Sequence, residues 1–325
     1  MAAACDALFV LDPIETFNPK ADSSHVMIVE ALRRGHRPYG VELDGLALDA
    51  EGIPAAHARA LRFDEASGRL RYDEAVERRP LGSFGCVFMR KDPPFDDGYL
   101  TATWILELAR GTTHLFNDPA GLRELNEKLA ILSFPDLIPP TRLLRRTSDL
   151  LAALKDFGGR MIVKPVFGFG GREILQARDG DPNLGSILEL ATREGTRWTV
   201  AQGFVEKASE GDKRILLVDG EPIGAVLRVP AAGELRNNFH AGGHPELTEL
   251  DARDREICAA VGPYLRERGQ FFVGLDVIGG YLTEINVTSP TGMQEINRLG
   301  DLRGEDTMEA RFWQGVEAKL ETSPR

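Results

Sequence analysis

Along most of the chain, short apolar runs closed by turn residues alternate with stretches whose apolar positions recur at helical spacing. Ala7–Leu11 reads as a buried strand. A helix is expected from Ser23 or Ser24 to Arg34, with Asp22, Ser23 and Ser24 as N-cap candidates and Gly35 as its stop. A second buried strand is predicted at Cys86–Met89, a helix over Tyr99–Ala109 and a short strand at His114–Asn117. The next helix opens at Pro119, a residue suited to the first turn. Such alternation predicts an open α/β sheet. Asp12-Pro13 follows the first strand where a dinucleotide site would need Gly-x-Gly-x-x-Gly, which argues against that function there.

The texture changes after the proline-rich stretch Pro135–Pro140, which reads as a domain boundary. Beyond it the pattern predicts a helix (Asp149–Phe157), a strand (Arg160–Pro165), a glycine loop (Gly168–Gly171), another strand and a helix (Leu184–Glu194). The strand Trp198–Phe204 follows. Arg214–Val218 and Ile223–Val229 flank Asp219-Gly220-Glu221 and predict an antiparallel hairpin. After a helix over Asp251–Arg268, Phe271–Ile278 and Tyr281–Val287 form a second strand pair joined at Gly279-Gly280.

Composition narrows the function. The 325 residues allow two or three domains, and a net charge of −11 argues against a nucleic-acid partner, which would need a basic footprint. It leaves ATP open, because local cations, metal ions and backbone N–H groups hold phosphates. Cys5, Cys86 and Cys258 are far apart and form no Cys-x-x-Cys pair, as expected for free thiols in a reducing compartment. The start of the chain lacks a signal-peptide pattern, and no apolar run approaches the ~20 residues of a membrane helix. A cytoplasmic protein without a membrane partner is therefore expected.

Candidate chemistry gathers in three places. Asp276 lies in the first strand of the last hairpin, and Glu284 and Asn286 are two apart on the second, hence on one face. Converging oxygen ligands suit Mg²⁺; the alternative is an exposed polar hairpin face. Lys164 ends a strand just before Gly168-Phe169-Gly170-Gly171, whose backbone could cover phosphates, although a P-loop is excluded by its sequence. Lys128, read as part of a helix, could equally be a solvated lysine, and Arg214 and Arg228 lie on facing hairpin strands. The long segment Pro230–Gly243, with its single Arg236, suggests a functional loop. His240 and His244 are a poor metal pair, because Gly242 and Gly243 between them disfavour a helix.

In this order, the signals resemble the bacterial glutathione synthetase family of ATP-grasp enzymes. The resemblance is carried by Met89-Arg90-Lys91-Asp92-Pro93-Pro94-Phe95-Asp96, Asn126-Glu127-Lys128-Leu129, Gly274-Leu275-Asp276 and Thr283-Glu284-Ile285-Asn286-Val287-Thr288-Ser289-Pro290-Thr291. It extends from about residue 8 to residue 296. It implies an ATP-grasp fold preceded by an open α/β pre-ATP-grasp domain: residues 1–124, a central lid at 125–203, and a metal-binding unit at 204–325 with a mobile loop at 230–243. The implied activity is ATP-dependent ligation of glycine to γ-glutamylcysteine through an acyl phosphate, in a homotetramer; the alternatives are a related ligase joining a different peptide-like acyl donor or amine, and a non-catalytic nucleotide-binding regulator.

The resemblance also assigns roles. Lys128, Lys164, Gly168, Gly170 and Gly171 would meet the phosphates, Gln202, Gly203, Phe204 and Val205 the adenine, and Asp212 the ribose. Asp276, Glu284 and Asn286 would hold two Mg²⁺ ions, with Mn²⁺ as a substitute. Arg214, Arg228 and Lys164 would serve catalysis. Ser23, Ser24, Arg90, Asp92, Arg236, Asn237 and Ser289 would bind the other substrates.

Overall fold

The computed structural model describes residues 4–231 and 243–324; the expectations for Arg236, Asn237 and His240 fall outside them. The chain begins with β1 (Asp6–Val10), α1 (Ser23–Arg33), β2 (Arg37–Val41), β3 (Leu46–Leu48), β4 (Pro54–Asp64), β5 (Arg69–Tyr72) and β6 (Glu77–Pro80). β7 (Cys86–Met89), α2 (Asp97–Glu107), β8 (His114–Phe116) and α3 (Pro119–Glu124) follow. The sheet order is β3-β4-β2-β1-β7-β8, with β5 and β6 both paired to β4. Strands β2, β1, β7 and β8 run parallel, whereas β4 is antiparallel to β2. Ala7 through Val10 are fully buried, as expected for a parallel strand covered on both faces. Asp22 caps α1, its side chain accepting from the Ser24 N–H at 2.8 Å.

A second unit comprises β9 (Thr141–Leu144), α4 (Thr147–Asp156), β10 (Arg160–Pro165), β11 (Leu175–Arg178), α5 (Leu184–Thr192) and β12 (Thr199–Gly203). Its antiparallel sheet has the order β11-β10-β12-β9. Leu150, Leu154, Met161, Val163 and Leu188 give it a core of its own.

The third unit is built from β13 (Asp212–Val218), β14 (Glu221–Val229), β15 (His244–Leu247), α6 (Ala252–Glu267), β16 (Phe272–Ile278), β17 (Tyr281–Asn286), α7 (Met293–Leu299) and α8 (Met308–Leu320). The sheet order is β15-β14-β13-β16-β17, all antiparallel. At the β13–β14 turn, Asp219 and Gly220 both have positive φ, 49° and 78°. Gly220 also passes so close to α6 that an added Cβ would lie 2.7 Å from the Gly262 carbonyl oxygen. The first and third units share their core: Ala7 and Phe9 belong to one apolar cluster with Phe271, Phe312 and Trp313. Asn117 fastens them, donating to the carbonyls of Phe272 (2.8 Å) and Val287 (2.7 Å) and accepting from the N–H groups of Phe271 and Phe272. Among the described residues, no helix is long and apolar enough to cross a membrane.

Two differences from the sequence reading stand out. Strands β2–β6, β9 and β15 and helices α7 and α8 lie where no element was predicted. β4 is rich in alanine and arginine and β6 reads Glu-Arg-Arg-Pro, so neither carries the β-branched signature of a strand. Lys128 lies in a turn, not a helix. The Asn126 side chain accepts from the N–H groups of Lys128 (3.0 Å) and Leu129 (3.2 Å), replacing the bonds a helix would make.

Candidate active site

A cavity of about 360 Å³ opens between the β9–β12 sheet and the β13–β17 sheet. It gathers most of the residues singled out in the sequence: Lys128, Lys164, Gly168, Gly170, Gly171, Gln202, Gly203, Phe204, Val205, Asp212, Arg214, Arg228, Asp276, Glu284 and Asn286, with Asp92 and Ser289 at one side. Ser23, Ser24 and Arg90 do not line it. They form a buried cluster nearby, in which Arg90 donates to the Ser24 Oγ (3.0 Å) and the Pro290 carbonyl (3.1 Å), and Ser289 Oγ donates to the Arg90 carbonyl (3.3 Å).

Strand register brings the charges together. Arg214 on β13 faces Asp276 on β16, and Asp276 faces Glu284 on β17. Arg214 makes a two-point contact to Asp276, Nε to Oδ1 at 2.5 Å and Nη2 to Oδ2 at 3.0 Å. Arg228 on β14 bridges Asp212 (2.6 Å) and Asp276 (2.9 Å). Asn286 Nδ2 donates to Asp276 Oδ2 at 3.1 Å. Across the cavity, Lys164 Nζ lies 3.2 Å from Glu284 Oε1 and 3.3 Å from the Thr283 carbonyl oxygen. Lys128, only 4% exposed, is no solvated lysine: its ammonium donates to the Gly168 carbonyl and so ties down the glycine loop. Gly170 and Gly171 sit at φ 62° and 71°, a conformation that favours glycine.

Burial acts to raise the pKa of Asp276, Glu284, Asp212 and Glu127, and local partners decide the outcome. At Asp276, Arg214 and Arg228 outweigh burial and hold the carboxyl well below its usual range. At Glu284, Lys164 and Lys128 also outweigh burial and lower the carboxyl. Asp212 shares Arg228 with Asp276 and feels that neighbour's charge, so burial prevails and pushes it up to about 6. Burial also raises Glu127, against Lys128 and the Thr288 hydroxyl, which donates to Glu127 Oε1 at 2.8 Å. The sequence reading passed over Glu127 as a cavity residue, although it stands next to Lys128 in a quoted motif.

The donor set fits magnesium. Asp276, Glu284 and Asn286 offer only oxygen toward the cavity; Asn286 turns its amide nitrogen to Asp276 and Gly274, leaving Oδ1 as a ligand. Among the described residues there is no cluster of three His, Cys, Asp or Glu side chains suited to a metal. Two carboxylates and an amide would leave several coordination positions for phosphates and water, the arrangement Mg²⁺ favours. Opposite, Ile162, Phe204, Val205 and Ile278 provide an apolar slot beside the backbone of Gln202–Val205, chemically suited to a flat heteroaromatic ring.

Solved structures share this architecture. D-cycloserine synthetase DcsG superposes with a TM-score of 0.63 at 16% identity, covering 97% of this chain and 99% of its own. A RimK domain protein ATP-grasp from Sphaerobacter thermophilus gives 0.60 at 17%, covering 94% and 98%. The fold is that of the ATP-grasp ligases. At the sequence level, the ATP-grasp domain of prokaryotic glutathione synthetase matches residues 127–301, and its N-terminal domain matches residues 5–123. The glutathione synthetase of Gloeobacter violaceus is 45% identical over 92% of this chain and 94% of its own length. That of Pseudomonas aeruginosa is 44% identical over 93% and 95%. The chain belongs to the prokaryotic glutathione synthetase family.

Proposed function

We propose that the chain joins glycine to γ-glutamylcysteine, with ATP converted to ADP and phosphate. The observation that carries this reading is the convergence of four cations, Lys128, Lys164, Arg214 and Arg228, on a cavity that also presents Asp276, Glu284 and Asn286. A carboxylate is a poor electrophile, and transferring a phosphoryl group onto it turns it into an acyl phosphate that an amine can attack. That transfer brings anions together, so the site must supply positive charge where it accumulates.

Lys128 and Lys164 would bind the phosphates, with Gly168, Gly170 and Gly171 covering them and excluding the water that would destroy an acyl phosphate. The Gln202–Val205 backbone would hold adenine, and Asp212 would face the ribose. Arg214, steadied by Asp276, would stabilise charge on the acyl phosphate and on the tetrahedral adduct, with Arg228 holding Asp276 in place. Asp276, Glu284 and Asn286 would hold two Mg²⁺ ions, or Mn²⁺ in their place. Bound there, the metal would neutralise phosphate charge during transfer. Asp92 and Ser289 would meet the dipeptide or glycine directly, and Ser23, Ser24 and Arg90 would shape that end from behind. Residues 1–124 would form the substrate side, 125–203 the cover and 204–325 the catalytic floor. Action as a cytoplasmic homotetramer belongs to the same proposal.

The test is product analysis with purified protein, Mg²⁺ and ATP. ADP and phosphate should appear in step with glutathione when γ-glutamylcysteine and glycine are both present, and only slowly without glycine. AMP and pyrophosphate would replace the acyl-phosphate route with adenylation. Faster turnover on another acyl donor or amine in a substrate panel would overturn the choice of substrates.

A further inference from the structure

Away from the cavity, at the seam between the first sheet and α8, a thiol, an imidazole and a carboxylate stand in line. Cys5 Sγ lies 3.4 Å from His36 Nδ1, and His36 Nε2 lies 3.3 Å from Glu317 Oε1. We propose that Cys5 is a site of thiol–disulfide exchange that takes up a small disulfide, with His36 as its proton acceptor and Glu317 orienting the ring. The proposal does not rest on the ligase reading.

The geometry fixes the role of each nitrogen. With Glu317 accepting from Nε2–H, Nδ1 is the unprotonated nitrogen; it accepts from the Cys5 backbone N–H at 3.2 Å, with the Cys5 Sγ beside it at 3.4 Å. The ring cannot easily turn away, because it stacks on Trp313 at 4.6 Å and its side chain is only 1% exposed. Glu317 is held from its other side by Arg34 at 3.0 Å. Cys5 itself is partly exposed, whereas Cys86 and Cys258 are buried.

The electrostatics distinguish the three thiols. Cys86, which faces Cys5, and then His36 lower the Cys5 thiol to about 5, against burial and Asp6. Burial raises Cys86 well above its ordinary value and Cys258 to about 12. The other charged groups around Cys5 are Arg37 and Arg79, both paired with Asp6, and His114 with Lys319 behind it.

The step balances without any further reagent. The Cys5 proton passes to His36 Nδ1, and Sγ attacks one sulfur of the disulfide. A new S–S bond forms to Cys5 as the old one breaks, and the departing thiolate takes up the proton. The disulfide is the oxidant, reduced at the sulfur that leaves.

Magnitudes select the readout. At pH 7 an ordinary thiol of pKa 9.0 is about 1% thiolate, so Cys5 gains about 10²-fold in reactive fraction. Its lower basicity costs about as much in nucleophilicity, at a Brønsted slope of roughly 0.5. The rate at pH 7 is therefore unremarkable, and the pH profile carries the signature. Full-length protein is incubated with glutathione disulfide from pH 6 to pH 8, and adducts are followed by intact mass and peptide mapping.

One adduct is expected, on Cys5, at a rate that changes less than about threefold across this range. Cys5→Ser should abolish it and Cys86→Ser should retain it. His36→Gln should make the rate climb at least about fivefold across the range. If that variant does not fold, Glu317→Gln, which keeps the shape and removes the charge, should tilt the profile the same way. Modification of Cys258 ahead of Cys5, or a wild-type rate rising tenfold per pH unit, overturns the proposal.

Discussion

Replacing Glu284 by glutamine keeps the size of the side chain and removes one charge from the cavity. In the structure that charge lies 3.2 Å from the Lys164 ammonium, with Glu284 20% and Lys164 5% exposed at their side chains. At an effective dielectric constant of about 20, the gross attraction at this separation is about 5 kcal/mol. A glutamine is cheaper to desolvate and still offers an oxygen, so the net loss of stability should be about 1–3 kcal/mol, visible as a lower urea midpoint with an unchanged slope. Lys164 would keep the Thr283 carbonyl and a neutral amide oxygen as acceptors but lose its charged partner. The effect on turnover should be larger in kind. If the lost charge helps hold metal against the transferring phosphoryl group, ADP release should fall by about 10²-fold or more, equivalent to about 2.7 kcal/mol. The Mg²⁺ concentration needed for half-maximal rate should rise. The assay is ADP release titrated with Mg²⁺, run beside urea unfolding on the same preparation. Turnover within a few fold of wild type at saturating Mg²⁺ would refute the reasoning and leave the hairpin carboxylate a structural counter-ion to Lys164.

Two further outcomes concern the fold around the site. Asp212 titrates at about 6 in the fold against an ordinary 3.8, so its contribution to stability is complete below about pH 3.8 and is lost as pH rises through 6. Asp212→Asn should remove that slope, and the stability difference between variant and wild type should change by about 2 kcal/mol between pH 4 and pH 7; a constant difference would show that Arg228 keeps Asp212 ionised throughout. Asn117→Ala removes four hydrogen bonds and orphans buried backbone groups of Phe271, Phe272 and Val287, so it should destabilise by about 3–5 kcal/mol, and a loss under 1 kcal/mol by urea unfolding would deny its fastening role.

Local features were legible wherever the signal sits within a few residues. The hairpin of β16 and β17 shows in its apolar run and its paired glycines, and the alternation of Glu284 and Asn286 places both on one face. Longer-range features were not. Nothing near Arg228 announces that β14 register sets it against Asp212 while its other contact reaches across to Asp276 on β16. Read alone, Arg214 and Arg228 look like ordinary hairpin arginines; burial makes them different, and burial is a property of the assembled sheets. Lys128 is a similar case, because its short turn depends on the Asn126 side chain and not on any periodicity. The long β4 strand escaped because alanine and arginine fit several conformations, and only its pairing with β2, β3, β5 and β6 makes it a strand.

The separate core of the β9–β12 unit has a consequence for how the molecule comes apart. Its few buried side chains form a closed group, whereas the first and third units share two larger ones. Small units bury a lower fraction of their surface and open at lower free energy, so this part should exchange its amide hydrogens before the rest does. The nucleotide-sized cavity lies on the border between the weaker body and the stronger one. A molecule bound there touches both, and by mass action it lends the weaker sheet part of the stability of the larger body. Unfolding that proceeds in two stages for the free protein would then merge into one cooperative event, with the ligand acting as the missing piece of shared core.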